Sequence, residues 1–584
     1  MKKLLTKFTV MALSFVMCFA AFGCKTDMAN READQKLEVF IADRGYGTLG
    51  IEAALVEFAK QDWVKEKYPN LEIPKPYTSR TPNLGLTRLS SPSNNNFDLI
   101  FIIENFRPYM KRDANGKALI CDITESVYNS TVPGENILFK DKILPEFEDY
   151  CTIYEKELDR NSNFDVPWVT GYHGFIYNPE ILARYDLSDE MPNGNLAPNT
   201  TDEFLAVCEA IKNEPTKSGN DMGFAVGACG TNGYDNTALT GWWAQYDGVK
   251  AYEDFFAGYY TTPGTEGTEF EERYLSHKVF ELEGRRKALE VMGHYLTPYK
   301  GYYDARYIGM EFMQLQTLLL QGMYAFSYCA DWFDSEMALV VEDMEAKGEH
   351  VSPILLLQTP VISAIVEKLE YRENNNAYMT DDKLSFVIKC IDDKKAYDVT
   401  RDEFAAKFAG APELPELSEN DYNKLKETRA QYTQAAINHT GAIPEVSNSK
   451  DVAIDFLRFL ATDVCQLAYM KATNGQNLPF NFNIKDNPAY DAIKGGFSDM
   501  QENRLDFFYN EFNPSIILRG GGRKPLGLSG LLTGQLGSYW RSAQIGGTTT
   551  IESLSLELWQ QAKDAHNEDR FNFMCFEAGL IDSY

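Results

Sequence analysis

The chain has few of the residues that enzymes and metalloproteins most often use at their active sites. Only 6 of its 584 residues are histidines, and they are dispersed, without an H-E-x-x-H motif or a pair four residues apart. The 10 cysteines form no C-x-x-C pair, which disfavours a zinc ribbon or a thioredoxin-like site. No G-x-S-x-G nucleophile elbow is present. The sequence therefore predicts no metal site, no catalytic group and no cofactor.

Positive charge is also scarce in this chain. The 56 lysines and arginines are outnumbered by 85 acidic residues, which gives a formal net charge of −29. A field of that sign repels phosphate backbones and anionic membrane surfaces, so we expect no nucleic-acid partner. The acidic residues are interspersed with other residues rather than blocked, a pattern typical of a solvated surface. With so many acidic residues, a pair of carboxylates of the kind that glycosidases use for catalysis stays an open alternative.

The first residues are typical of a bacterial signal peptide. Three lysines (Lys2, Lys3, Lys7) precede an uncharged apolar stretch over 8–22. That stretch is shorter than the ~20 residues that a membrane-spanning helix needs. It ends in Ala21-Phe22-Gly23-Cys24, which resembles the lipobox of bacterial lipoproteins, although leucine is usual at the place of Ala21 and a small residue at that of Phe22.

The resemblance implies that Cys24 is lipidated on sulfur and becomes the new N-terminus. We expect a signal peptide over 1–23 and a lipidated tether over 24–34. The protein would then be extracytoplasmic, held at the outer face of the cell membrane by its lipid only. Ordinary secretory cleavage, with Cys24 as a plain thiol, is the alternative.

Strand and helix patterns alternate along the rest of the chain. The run 37–41 and the longer run 96–103 are typical of buried strands, and 71–73 is predicted as a further strand between them. Helical spacing begins after Thr48, and again after Thr200 and near Ser449, while 313–320 is typical of a buried helix. Strands joined by helices indicate an α/β fold. Without the predicted signal peptide the chain has about 560 residues, more than a single hydrophobic core usually contains. We therefore expect two lobes or more.

A glycine-rich turn follows the first predicted strand. The pattern Gly45-x-Gly47-x-x-Gly50 fits a dinucleotide fingerprint, with Glu72 near the position of the expected acidic residue. An exported protein does not meet the cytoplasmic cofactor that this fingerprint serves, so we disfavour the interpretation. Two others stay open: a plain tight turn, or a turn that carries Tyr46 into a ligand cleft.

Aromatic residues occur beside polar ones at the ends of predicted elements. Trp168 and Tyr172 bracket a polar turn, Trp242-Trp243 follow a loop rich in glycine and asparagine, and Trp332 follows Asp331 behind a strand. An aromatic face next to carboxylates or amides suits a sugar ring, whose C–H faces stack while its hydroxyls form hydrogen bonds. Core packing is the alternative for each tryptophan alone. As a set they favour a polar, aromatic-lined cleft.

Several segments, in their order along the chain, resemble the extracellular solute-binding lipoproteins of bacterial carbohydrate ABC transporters, the family related to maltose-binding protein. The resemblance is carried by segments spread over most of the sequence: 37–60, 97–100, 166–168, 174–179, 200–204, 359–369, 449–461 and Gly475-Gln476-Asn477-Leu478-Pro479.

The resemblance implies an α/β, two-lobed periplasmic-binding-protein-like fold of type II, with mixed sheets, several hinge crossovers and insertions. It places lobe 1 at 35–150 and 351–484, and lobe 2 at 151–350 and 485–584. By position in the family pattern, the residues expected to bind ligand in the cleft are Tyr46, Glu104, Asn105, Trp168, Tyr172, Trp242, Trp243, Asp331, Trp332 and Asn477.

The function implied is capture of a sugar or oligosaccharide and its delivery to the permease subunits of an ABC transporter, by a monomer that is not an enzyme. Two alternatives remain: a surface-anchored carbohydrate-active enzyme, either a glycoside hydrolase or a lyase, and a binding protein for a peptide or another polar solute.

Overall fold

The structure of the protein, a computed structural model, describes most of the chain from residue 35 onward. The predicted signal peptide and tether, with Cys24, lie outside the described residues. The described ranges are 35–81, 83–214, 225–227, 237–262, 272–304, 309–373, 377–409, 415–482, 484, 487–508, 515–517, 526 and 536–583.

Within these ranges the chain forms fifteen strands. They are β1 Val39–Ala42, β2 Tyr77–Ser79, β3 Leu99–Ile102, β4 Thr152–Glu155, β5 Arg160–Asn163, β6 Val166–Pro167, β7 Tyr172–Tyr177, β8 Val226–Gly227, β9 Tyr259–Thr261, β10 Arg273–Leu275, β11 Phe326–Ala330, β12 Leu355–Leu357, β13 Gln431–Gln434, β14 Thr440–Ala442 and β15 Ser515–Ile517.

The α-helices of the same ranges surround these strands. They are Leu49–Lys60, Asp62–Lys67, Asn83–Leu89, Arg107–Met110, Phe139–Lys142, Pro145–Cys151, Pro179–Leu182, Thr201–Asn213, Ala238–Asp247, Val249–Ala257, Gly284–Leu296, Phe312–Leu320, Phe333–Ala346, Asp381–Asp392, Tyr397–Lys407, Glu419–Arg429, Lys450–Phe459, Asp463–Ala472, Pro488–Ile493, Asp499–Phe508, Leu536–Ser542, Ile551–Ala565 and Glu568–Glu577. Among the residues described, none of these helices combines the length and the apolarity that crossing a bilayer requires.

The first large sheet has the strand order β2-β1-β3-β14-β6. β1 is parallel to β2 and β3, whereas β14 runs antiparallel to β3 and β6. Both β1 and β3 are buried along their whole length, as their continuous apolar sequences predict. Because side chains alternate along a strand, Phe40 and Ile100 face one core while Ile41 and Phe101 face another.

The second large sheet is built around β7. Its order is β15-β13-β7-β11-β8, and β12 also pairs with β7. Phe175 and Tyr177 of β7 face a core that contains the helix Ala238–Asp247. Tyr172 and Ile176, on the opposite face, belong to the same core as Ile41 and Phe101 of the first sheet. One hydrophobic core is thus shared by both sheets.

Two short crossovers connect the sheets side by side. One, residues 168–171, joins β6 to β7, and the other, residues 435–439, joins β13 to β14. Trp168 N donates to His439 O at 3.1 Å, and Ala435 N donates to Gly171 O at 3.0 Å. Gln434, at the end of β13, donates from Nε2 to Thr170 Oγ1 at 2.8 Å. The two crossovers therefore form one hydrogen-bonded pair, which we call the paired crossovers.

The sheet membership of three strands differs from the lobe ranges expected from the sequence. β6 belongs to the first sheet although it falls in the range 151–350, and β12 and β13 belong to the second sheet although they fall in 351–484. A short apolar run shows that a strand is buried but not which strand it pairs with. The lobe ranges themselves remain a prediction.

Most of the predicted elements that bear on the site are present. Thr48 precedes the helix Leu49–Lys60, the predicted buried helix is Phe312–Leu320, and the Thr200 side chain accepts a hydrogen bond from Glu203 N as an N-cap. The strand predicted over 71–73 is wrong, since only a single bridge joins Glu72 to Lys36 there and β2 lies further on. Pro74 and Pro76 follow directly and have no N–H for a ladder.

Candidate ligand-binding site

The turn after β1 places Tyr46 between the two sheets. Gly45 and Gly47 have φ values of 58° and 72°, a left-handed conformation that glycine adopts without a steric cost. The turn is therefore tight, and it directs the Tyr46 ring inward, where the side chain is 3% exposed. Of the two interpretations that the sequence left open, this geometry agrees with a turn that carries Tyr46 into the junction between the sheets.

At this junction Tyr46 meets Asp331, the residue that follows β11. The Tyr46 hydroxyl donates to Asp331 Oδ1, and Asp331 N donates to Tyr172 O at 3.0 Å. Both side chains are buried, and burial raises the pKa of the Tyr46 phenol well above its usual value, with the Asp331 carboxylate adding to the shift. The Tyr46 phenol is thus neutral, and it donates to an acceptor that belongs to the other sheet.

A residue that the sequence did not single out, Arg504, completes this polar group. Its Nη1 lies 3.1 Å from Asp331 Oδ2, and neither side chain has any exposed surface. The guanidinium also donates to Gly475 O, and its Nη1 lies 3.4 Å from Thr170 O. Burial raises the pKa of Asp331, and the positive charge of Arg504 is the largest influence that opposes it. Arg504 therefore favours the ionised form of this carboxyl group.

One signal in the sequence could have pointed to Arg504. The helix Asp499–Phe508 carries buried Met500 and Leu505 on its inward side, and Arg504 occupies a position of the same buried stripe. An arginine within an apolar helical stripe needs a buried acceptor. The identity of that acceptor was not accessible, because Asp331 lies 173 residues away along the chain.

Aromatic rings surround the Tyr46 side chain. The Tyr46 ring lies 5.6 Å from Trp332 and 5.5 Å from His439, measured between ring centroids and with edge-on geometry in both pairs. Trp168 lies 5.4 Å from His439 on the far side. Burial lowers the pKa of His439 to about 3, so its ring is a neutral member of the group. Trp332 is the member that keeps a partly exposed surface.

Three more predicted residues lie at the paired crossovers or beside them. Trp168 donates from Nε1 to Ile102 O at 3.3 Å. Tyr172 donates from its hydroxyl to Leu357 O at 2.5 Å. The backbone carbonyl of Asn477 accepts from Thr170 N at 3.0 Å. The structure thus brings together Tyr46, Trp168, Tyr172, Asp331, Trp332 and Asn477, and we call this set, with Arg504 and His439, the junction cluster.

Glu104 and Asn105 lie just beyond the end of β3. Glu104 is half-buried and Asn105 is exposed, with Asn105 Oδ1 accepting from Arg107 N at 2.8 Å. The two carbonyls before them are bonded to the crossover region: Ile102 O accepts from Trp168 Nε1 at 3.3 Å, and Ile103 O accepts from Asn438 Nδ2 at 2.5 Å. Both residues therefore follow the carboxyl end of β3, near the cluster but outside it.

Trp242 and Trp243 lie elsewhere, in the core of the second sheet. Both have no exposed surface. Trp242 donates from Nε1 to Pro360 O at 3.1 Å, and Trp243 donates from Nε1 to Asp247 Oδ2 at 2.9 Å. Their rings pack in the cluster around Phe175 rather than against Tyr46. The structure therefore places both indoles in the core, the alternative that the sequence left open for any single tryptophan.

The junction cluster combines groups suited to a ligand with many hydroxyls. It offers a carboxylate acceptor, a guanidinium and a phenol as donors, and aromatic faces around them. In the described part of the chain no group of three histidine, cysteine, aspartate or glutamate residues is arranged to hold a metal ion.

Comparison with known sequences concerns one part of the chain. Residues 50–283 match the family described as bacterial extracellular solute-binding protein. This match confirms, over that range, the family resemblance predicted from the sequence. A comparison with curated proteins found no match.

Comparison with solved structures concerns the fold. The bacterial solute receptor AcbH is similar with a TM-score of 0.50 at 10% identity, over 91% of this chain and 100% of that one. The sugar-binding protein MalE from Xanthomonas citri has a TM-score of 0.49 at 12% identity, over 92% and 99% of the two chains. The GacH receptor of Streptomyces glaucescens has a TM-score of 0.49 at 12% identity, over 91% and 97%. The predicted two-lobed α/β fold is confirmed, and AcbH carries that conclusion.

Proposed function

We propose that this chain, which matches the bacterial extracellular solute-binding protein family over residues 50–283, captures a sugar or oligosaccharide at the junction of its two sheets and delivers it to an ABC permease. The observation that carries the proposal is the contact of Tyr46, from one sheet, with Asp331, from the other, inside a shell of aromatic rings.

The chemistry of the junction cluster fits a sugar better than an apolar ligand. Asp331, which Arg504 holds through one carboxylate oxygen, can accept from ligand hydroxyls, while the partly exposed face of Trp332 can stack on a pyranose ring. Trp168, Tyr172 and Asn477 shape the floor, because their hydrogen bonds hold the crossover region in place. Glu104 and Asn105 would contribute at the rim.

Burial of the cluster implies that ligand entry is coupled to movement of the sheets. Tyr46 and Asp331 are both inaccessible, so a solute reaches them only when the two sheets separate at this contact. A sugar that bonds to groups from both sheets then favours their approach, since a ligand stabilises the arrangement with which it makes more contacts. This is the behaviour that a transport receptor needs.

A ligand panel tests the proposal. We choose galactose, maltose, xylotriose and chitotriose, with a tripeptide as the non-sugar probe, and measure the shift in Tm as a function of ligand concentration. At least one sugar is expected to raise Tm by binding the native state only. Asp331→Asn should abolish the shift, whereas Asp343→Asn, an exposed residue of the following helix, should keep it.

The same panel separates the alternative functions. The sugar is recovered after incubation and analysed by chromatography, and an unchanged sugar agrees with a receptor. Cleaved products would instead favour a carbohydrate-active enzyme. Stabilisation by the tripeptide alone would move the proposal to a peptide receptor, and no stabilisation by any probe would contradict sugar binding.

We also propose that Cys24 carries the lipid that holds the receptor at the outer face of the membrane. Tethering keeps the loaded receptor close to its permease and so raises its effective concentration there. Radiolabelled palmitate should enter the wild-type protein and the Cys121→Ala control but not Cys24→Ala. An unlabelled wild-type protein would contradict the anchor. The receptor is proposed to act as a monomer, which sedimentation of the chain without residues 1–24 would test.

A further inference from the structure

The helix Asp499–Phe508 lies outside the family match, yet it contacts the junction cluster. Gln501 Nε2 donates to the Asp331 carbonyl at 3.3 Å, and Ser498, before the helix, donates its hydroxyl to Asp334 Oδ2. Asn503 Oδ1 accepts from Leu356 N of β12 at 2.9 Å. These contacts fix the helix to the second sheet and so fix the direction of its Arg504 side chain.

Arg504 itself reaches back toward the first sheet. Its acceptors are Asp331 behind β11, the Gly475 carbonyl behind the helix Asp463–Ala472, and the Thr170 carbonyl in the paired crossovers. The helix Asp463–Ala472 shares its core with β1, through Cys465 and Tyr469. One planar guanidinium, whose N–H groups form a rigid fork, therefore bonds to a group that follows a strand of the second sheet, to a crossover, and to the end of a helix that packs with the first sheet.

The two oxygens of Asp331 are held differently. Oδ2 accepts from Arg504, which has no exposed surface, whereas Oδ1 accepts from the Tyr46 hydroxyl of the other sheet. If the sheets separate as proposed, Oδ1 would lose Tyr46 while Oδ2 would keep Arg504, because both Asp331 and the helix Asp499–Phe508 are fixed to the second sheet. Oδ1 is thus the oxygen that a ligand hydroxyl can reach.

We propose that Arg504 is a positioning residue of the sugar site, which holds the Asp331 carboxylate in the orientation and the charge state in which its Oδ1 accepts a ligand hydroxyl. The inference rests on the proposed sugar-binding function and assigns a role to a residue that contacts Asp331 rather than the ligand.

The surroundings of Asp331 supply few other charges. The phenols of Tyr46, Tyr172, Tyr432 and Tyr469 face it, and burial raises the pKa of each one, so they are neutral. The Asp334 carboxyl faces Arg504 from the helix Phe333–Ala346, and burial raises its pKa as well. Among these described groups Arg504 supplies the positive charge. Its removal should leave Asp331 protonated up to a higher pH than in the wild type.

The test compares Arg504→Met and Arg504→Lys with Arg285→Met. Arg285 is also a buried arginine, but it lies in the helix Gly284–Leu296 and donates to Leu558 O, away from the junction cluster. Galactose, maltose, xylotriose and chitotriose are each titrated into the four proteins by calorimetry, at pH 8 and at pH 5.5.

We expect Arg504→Met to weaken sugar binding at least tenfold at pH 8, and by a larger factor at pH 5.5. Arg504→Lys should recover part of the affinity because it keeps the charge, and Arg285→Met should match the wild type at both pH values. Equal affinities of Arg504→Met and the wild type would overturn the inference, as would a loss of equal size at the two pH values.

A measurement without sugar guards against a variant that is merely misfolded. Urea unfolding at pH 8 and pH 5.5 should show that Arg504→Met is less stable than the wild type, and that the deficit is smaller at pH 5.5. The reason is that a carboxyl whose native pKa is raised binds more protons when folded, so stability falls as pH rises. A deficit that does not change with pH would contradict the charge-state role.

The failure of the proposed function looks different from the failure of this inference. If the wild type binds none of the four sugars, both statements are wrong. If the wild type binds a sugar and Arg504→Met binds it equally well, the sugar site stands and the role of Arg504 is refuted.

Discussion

The backbone of Gly171 lies directly against the hydroxyl of Tyr46, so closely that a β-carbon on residue 171 would overlap the phenol oxygen and approach Asp331 Oδ1 to 2.6 Å. A glycine in the paired crossovers thus allows the two sheets to meet at the Tyr46–Asp331 contact. The close approach makes residue 171 a position where one methyl group should matter.

Gly171→Ala should therefore destabilise the protein and weaken binding at the proposed sugar site. Overpacking of a filled core costs about 1–3 kcal/mol, and the obstacle here is the group that donates to Asp331. Gly496→Ala is the control, since a β-carbon there would meet nothing within 4 Å. Urea unfolding and sugar titration of both variants check the expectation, which equal behaviour of the two would contradict.

Tyr46→Phe removes the hydroxyl that spans the junction and keeps the ring. Because the acceptor is a buried carboxylate, we expect the free energy of unfolding to fall by about 1.5–3 kcal/mol. Tyr154→Phe removes a similar bond, from the Tyr154 hydroxyl to Asp159 Oδ1 at 2.6 Å, but on the exposed surface. That change should stay within about 0.5 kcal/mol. A comparable loss in both variants would show that the burial of the junction has no energetic effect.

Two tryptophans should separate binding from stability. Trp332 is partly exposed beside Tyr46, so Trp332→Ala should lower sugar affinity while the protein stays folded. Trp243 is fully buried, and its ring centroid lies 4.7 Å from that of Phe255. Trp243→Phe should therefore lower Tm with little effect on the sugar affinity of the folded protein. Calorimetry and thermal unfolding of both variants check this. If only Trp243→Phe lost sugar affinity, Trp243 would contribute to sugar binding after all.

Stability should also depend on pH through Glu336, in the helix that follows Trp332. Burial raises the pKa of Glu336 to about 7. The folded protein then binds a proton that the unfolded chain has already released, so the contribution of Glu336 is present below its unfolded pKa and is lost as pH rises toward 7. Glu336→Gln should reduce the fall in stability between pH 5 and pH 7. The exposed Glu342→Gln, on the same helix, should leave the wild-type slope unchanged in urea unfolding.

Local sequence was informative where a residue's surroundings are set by its neighbours along the chain. The apolar runs of β1 and β3 and the helix after Thr48 follow from short patterns, and so does the turn that presents Tyr46. The pairing of β12 and β13 with β7 was not predictable, because partners far apart in sequence are chosen by packing.

The positions of the tryptophans were also unpredictable, because they depend on residues far away in the sequence. The sequence predicts both Trp332 and Trp242 at the ends of elements. Trp332 does precede a helix and lies beside Tyr46, whereas Trp242 lies within the helix Ala238–Asp247, in the core of the second sheet. An indole suits either environment once its N–H has an acceptor, and the acceptor for Trp242 is Pro360 O, 118 residues away. Arg504 was missed for a related reason, since only the fold brings it to Asp331.

The paired crossovers restrict how the two sheets can move. The two short connections lie side by side and are joined by hydrogen bonds from Gln434 and Ala435. A hinge of this kind would permit rotation of one sheet about the line through the two crossovers and resist sliding or twisting. In such a rotation, the displacement of a residue grows with its distance from the line through the crossovers. Trp168 lies in one crossover, and Glu104 and Asn105 follow the Ile103 carbonyl, which accepts from Asn438 of the other crossover. These groups lie close to the line and would move little. The part of the proposed site nearest the crossovers would then be preformed before a solute arrives.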